Sequence, residues 1–140
     1  MTTYQAFAKK LLTLLGEGEA VKIISGGYMP LTVETVSTSA EGHHLLAMSH
    51  TTIQYGDVMY DPEVVFLLRH TGELLAAEPV SFRNDFMGIR QDVYEYDDHG
   101  QPTHGHPRLK NELRSFVTMW FGNLKAQGFF DKNAKRARLR

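Results

Sequence analysis

The sequence predicts an α+β fold: an antiparallel β-meander of about five to six strands, flanked by an N-terminal and a C-terminal helix. Three observations carry this expectation. Apolar residues recur at helical spacing near both ends of the chain. Between them the period changes to two, over runs punctuated by Gly, Asn and Asp. The length of 140 residues with 42% hydrophobic content suits one domain with one core.

Residues 3–15 read as an amphipathic helix. Tyr4, Phe7, Leu11 and Leu14 line one side, and Ala8, Leu12 and Leu15 widen the stripe. Thr2 or Thr3 suits its N-cap and Gly16 its stop. Residues 20–25 and 31–37 read as strands, separated by Gly26-Gly27 and a turn that Tyr28-Met29-Pro30 lengthens. After Ala40-Glu41-Gly42, residues 44–54 form a third strand, broken by Gly56-Asp57. Residues 63–69 form a fourth, apolar on both faces at its end, which suits a central position.

His70-Thr71-Gly72-Glu73 reads as a tight connection into a strand over 74–82. Pro79 cannot donate to a ladder, so that strand must end, bulge or run along an edge there. Arg83-Asn84-Asp85 is a turn, and 89–96 is the last strand. Residues 97–107, rich in Asp, Gly, His and Pro, read as a loop. A second helix starts at Pro107 or Arg108 and ends at Gln127, with Leu109, Leu113, Phe116, Val117, Trp120 and Leu124 on one face and Gly128 as its stop. The expected organisation is one domain over residues 1–130 and a flexible basic tail over 131–140.

The charge is uneven. The chain holds 15 Lys and Arg against 16 Asp and Glu, a net charge of −1. The tail carries five bases, Lys132, Lys135, Arg136, Arg138 and Arg140, against Asp131 alone, so it is +4; the body, with 10 bases and 15 acids, is −5. An acidic body is a poor phosphate-binding surface, which leaves the tail as the candidate for weak nucleic-acid contact. There is no Cys, which excludes disulfides, thiolate metal sites and cysteine nucleophiles. No apolar run approaches a membrane span, and no signal-peptide pattern opens the chain. A cytoplasmic setting without membrane association is expected.

The motif search is mostly negative. No Walker loop, dinucleotide fingerprint, Gly-x-Ser-x-Gly elbow or His-Glu-x-x-His occurs. Asp57, Asp61 and Glu63 invite a metal-dependent hydrolase or nuclease reading, joined by loop histidines. The Glu-x-Lys or Asp-x-Lys that such a nuclease site would want is absent. His99, His104 and His106 are candidate zinc or nickel ligands, with His104 and His106 able to share an ion. Turn chemistry explains the same residues without a metal, and no cofactor is expected. His43-His44 read as a turn pair, and His50 as a strand residue on alternating faces.

Two segments stand out as a candidate binding patch: Gly56 to Glu63, and Phe82 to Gly88. Pairing of the strands on either side of the 70–73 connection brings Asp61 and Glu63 near Phe82 and Arg83. An Arg83–carboxylate bridge then becomes natural, with Asn84 and Asp85 capping backbone groups. This arrangement reads as a turn lock or as a recognition patch rimmed by Tyr55, Tyr60, Phe82 and Phe86, with Asp57 beside it. The pattern Gly56-Asp57-x-Met59-x-Asp61-Pro62-Glu63-x-x-Phe66, followed by Glu78-Pro79-x-Ser81-Phe82-Arg83-Asn84-Asp85-Phe86-x-Gly88, resembles an uncharacterised family of small bacterial proteins associated with plasmids and integrative conjugative elements. The resemblance covers about the central third of the chain. It implies an accessory protein of mobile DNA and transfers no catalytic residue. The missing lysine and the acidic body favour binding, with a protein as partner, over catalysis; oligomeric state is left open by the sequence.

Overall fold

A computed structural model describes residues 1–38, 44–99 and 101–140. Helix α1 spans Thr3–Leu15, followed by β1 (Ala20–Ile24), β2 (Leu31–Thr38), β3 (His44–Gln54), β4 (Asp57–Thr71) and β5 (Leu74–Asn84). Then come β6 (Ile89–Asp92), β7 (Tyr94–Tyr96), β8 (Pro102–Gly105), α2 (Pro107–Ala126) and β9 (Lys135–Arg138). Seven strands form one sheet in the order β6-β5-β4-β3-β2-β1-β9, antiparallel throughout, and β7-β8 form a separate ribbon. The class is α+β with a meander between two helices. The expected break at 40–42, His43 and Gly100 lie outside the described residues.

Both helices pack on one face of the sheet. Phe66 of β4 sits 6.5 Å from Phe7 of α1 and 6.4 Å from Phe121 of α2, ring centre to ring centre. Leu11 and Leu14 of α1, Val117 and Trp120 of α2, and Val33, Met48 and Val64 of the sheet close the same core. A capping box between Thr2 and Gln5 starts α1, and α2 begins with Pro107 in its first turn. No helix among the described residues is long and apolar enough to cross a membrane.

Five elements differ from expectation, one of them β5, which runs on through Arg83 and Asn84, read as a turn, and pairs them with Arg90 and Ile89. Strand β4 begins at Asp57 rather than 63, because Tyr55 and Gly56 make a two-residue turn with φ of 53° and 85°, and the ladder to β3 starts at once with Gln54 opposite Asp57. The expected strand over 89–96 is divided at the fully buried Val93. Its N–H donates to the Val80 carbonyl and its own carbonyl accepts from His106, so the chain is pinned there and turns off into β7. The segment read as a loop contains β8, paired back onto β7. Pro79 lies where β4 and β5 shift register, between the Val65–Ser81 and Phe66–Pro79 pairs, so the ladder accommodates its missing donor at a bulge.

The last difference is the tail. Residues 135–138 are not a flexible extension but an edge strand paired with β1, Val21 opposite Arg138 and Ile24 opposite Lys135. Helix α1 has no basic residue in its last turn. The tail supplies that charge from 122 and 123 residues away: Arg136 donates to the Leu14 carbonyl at 2.7 Å and to the Phe129 carbonyl at 3.3 Å, and Arg138 donates to the Leu15 carbonyl. Gly16, at φ 64°, is where Arg138 passes; a Cβ there would stand 2.5 Å from its guanidinium. Every residue of β9 is exposed, so no apolar alternation marks it in the sequence.

Candidate binding surface

The face of the sheet opposite the helices is crossed by a polar row. Lys22, Thr32, Ser49, Glu63, Arg83 and Arg90 are successive cross-strand partners from β1 to β6. Each alternates with a core-facing residue such as Val33, Met48 or Val64, which fixes the row on the open side. Glu63 is half-buried between Ser49 and Arg83. Burial pushes its carboxyl above the usual carboxylate range against the pull of Arg83, and Glu34 on the neighbouring row reinforces the rise.

Toward the hairpin tips this face is held by a lock. Arg83 donates through Nε and Nη2 to the two carboxylate oxygens of Asp85, at 2.6 and 3.1 Å. The Asp85 carboxylate also accepts from the Tyr60 N–H at 2.9 Å, while the Asp85 N–H donates to the Tyr60 carbonyl at 2.9 Å. The β3–β4 and β5–β6 hairpins are therefore joined through one residue. Arg83 lies over the Tyr60 ring, 4.4 Å from its centre. The Arg83 bond, then the Tyr60 N–H, hold the Asp85 carboxyl below its ordinary range, and Asp85 raises Arg83 in turn. Beside this pair, buried Asn84 donates to Asp61 at 2.7 Å and accepts from the Met87 N–H at 3.1 Å.

The sequence-predicted patch is thus divided by role. The Arg83 bridge runs to Asp85, not to Asp61 or Glu63. Asn84 and Asp61 tie the two turns together. Phe82 is a correction: it pairs with Val64 and packs edge-on against Phe116, 5.3 Å away, so it belongs to the core side and not to the rim. Tyr55 at 97%, Phe86 at 50% and Asp57 stay exposed at the tips. Sequence reasoning missed three exposed apolar side chains there: Ile53 at 73%, Val58 at 53% and Met87 at 68%. Ile53 and Val58 are cross-strand partners on either side of the Tyr55-Gly56 turn. Val58 is two residues from Tyr60 and so shares its face. A hydrophobic pair placed symmetrically about an expected turn was the available signal.

The metal and nucleic-acid candidates lie elsewhere. His104 and His106 both approach Glu95, at 3.6 and 3.9 Å, while the His99 N–H bonds the Asp97 side chain in the adjoining turn. Asp57 is exposed at the hairpin tip, whereas Asp61 is engaged by Asn84. No group of three His, Asp or Glu side chains among the described residues is placed to hold one ion. Of the five tail cations, Arg136 and Arg138 bond α1 carbonyls. Arg140 bonds the Thr35 carbonyl at 2.6 Å and pairs with Glu34 at 3.6 Å. Lys132 and Lys135 remain on the exposed surface.

His50 holds its expected alternating place in β3, on the core side of the sheet. Its ring lies between Trp120 and Phe129, at 5.6 and 5.7 Å. Nδ1 lies 3.1 Å from the Met29 carbonyl and 3.2 Å from that of Pro30. Nε2 accepts from the Trp120 indole at 3.2 Å. Because indole N–H is a donor only, this ring is neutral with its proton on Nδ1.

A family model described as "Domain of unknown function (DUF6908)" matches residues 2–130, ending before β9. No curated protein and no solved structure matches the chain.

Proposed function

The chain belongs to the domain-of-unknown-function family DUF6908, and we propose that it is a protein-binding module that works through the helix-free face of its sheet at the hairpin tips. One observation carries this reading. The exposed pair Ile53–Val58 stands beside a Tyr60–Arg83 stack already held by Asp85. Exposed apolar side chains grouped with an ordered Tyr and Arg have the composition of an interface hot spot. The lock supplies preorganisation, since Arg83 and Tyr60 surrender little rotamer freedom on binding.

The setting we infer is that of an accessory protein of mobile DNA in the cytoplasm, with a host-defence or conjugation protein as partner. It rests on the resemblance of residues 56–66 and 78–88 to proteins of plasmids and integrative elements. The catalytic alternative on Asp57, Asp61, Glu63 and the loop histidines gains no support from their separation. The adaptor alternative through the tail is weakened by the bonds of Arg136, Arg138 and Arg140.

Affinity capture from a host cell tests the reading, with wild type and Ile53→Asp/Val58→Asp as parallel baits. The proteins retained by wild type should fall by about tenfold on the variant while its melting temperature is unchanged. Equal retention by both baits would overturn the proposal.

A further inference from the structure

The outer side of α1 carries two clefts remote in sequence from the hairpin tips. One, of about 360 Å³, is lined by Ala6, Lys9, Lys10, Thr13, Lys125 and Phe130. The other, of about 380 Å³, is lined by Met1, Ala8, Lys9, Leu12, Leu74 and Leu75. Lys9 and Met1 belong to both, so they stand on a ridge with a recess on either side.

The charge of this surface is one-sided. Helix α1 contains no Asp or Glu, and among the described residues Lys9, Lys10 and Lys125 make no ion pair. Lys10 has a cation–π contact with Phe121, 5.6 Å from the ring centre. In a body with net negative charge, three lysines around these recesses and without an ion pair among the described residues form a basic surface.

We propose that this side of α1 docks an acidic amphipathic helix from a partner protein. Its large apolar side chains, one helical turn apart, enter the clefts on either side of Lys9, and its carboxylates meet Lys9 and Lys125. Phosphates of a nucleic acid would leave both apolar recesses empty. A membrane surface takes protruding apolar side chains; here Met1, Leu12 and Leu74 protrude, but Ala6, Ala8, Leu75 and Phe130 line recesses that side chains of a partner can enter.

Fluorescence anisotropy with the full chain tests this, using a synthetic Glu-rich helical peptide with Leu at heptad a and d positions as the probe. Wild type should bind it, and versions with Leu→Ser or Glu→Lys should bind about tenfold more weakly or not at all. Lys9→Glu, which leaves Lys10 on the Phe121 ring and Lys125 in the last turn of α2, should lose about tenfold in affinity with an unchanged melting temperature. Ile53→Asp/Val58→Asp should bind the probe as wild type does, which separates this site from the hairpin-tip surface. The proposal is overturned if wild type does not bind the probe at low salt, if the Leu→Ser peptide binds equally well, or if the lysine variant is unaffected. Retention of duplex DNA or phosphatidylserine vesicles through Lys9, without peptide binding, would also overturn it.

Discussion

Trp120 and His50 meet in the core through a single indole-to-imidazole bond, and that bond sets the protonation state of the histidine. Burial holds the His50 pKa below its ordinary value of 6.5, against the opposing pull of the Pro30 and Met29 carbonyls and of Asp61. The unfolded chain therefore takes up this proton before the folded chain does. The stabilisation is complete above pH 6.5 and is lost progressively as pH falls from there toward the lower folded value. In urea titrations between pH 8 and pH 5, wild type should lose stability relative to His50→Gln below pH 6.5. A difference that does not change with pH would refute this assignment. Glu63 has the opposite sign. Its folded pKa lies above the unfolded 4.5, so its favourable contribution is present below 4.5 and lost as pH rises through the folded value. Glu63→Gln should accordingly melt higher than wild type at pH 7, with the advantage gone by pH 4. Neither effect was legible in the sequence, because His50 and Glu63 alternate like any strand residues and their surroundings come from distant elements.

At the scale of the elements, the sequence was readable wherever a periodic apolar pattern was closed by a turn residue. Helices α1 and α2 and the strand β3 follow such patterns directly. Reading failed where backbone pairing alone makes the element. Strand β8 has no buried residue, and β9 is an exposed Lys-Arg-Ala-Arg segment paired through its main chain. The Arg136 and Arg138 side chains then act as remote caps for α1, whose own last turn lacks a base. Arg136→Ala removes donors to the Leu14 and Phe129 carbonyls and should destabilise by about 1–2 kcal/mol in chemical denaturation. Removing residues 132–140 should cost more, since it also strips β1 of its neighbour. A truncated chain as stable as the full one would mean that β9 contributes nothing to the fold.

Across the whole molecule, placing both helices on one face leaves the other to the Lys22–Arg90 row and the hairpin tips. The turn segments at 56–63 and 82–88 were visible in the sequence as unusual. Which of their residues face inward was not, because the bulge at Pro79 and the register change near Asp61 shift the alternation on which such a reading depends. Phe82 fell to the core side for this reason, while Ile53 and Val58 emerged as the apolar pair. The most direct measurement of the binding account is site-specific photo-crosslinking in a host cell. A photoreactive residue replaces Tyr55, 97% exposed at the tip, and in a second protein replaces Ser115 on the exposed side of α2. The account predicts a discrete crosslinked partner from position 55 that is lost with Ile53→Asp/Val58→Asp and is not formed from position 115. The same crosslinks from both positions, or none from position 55, would contradict it.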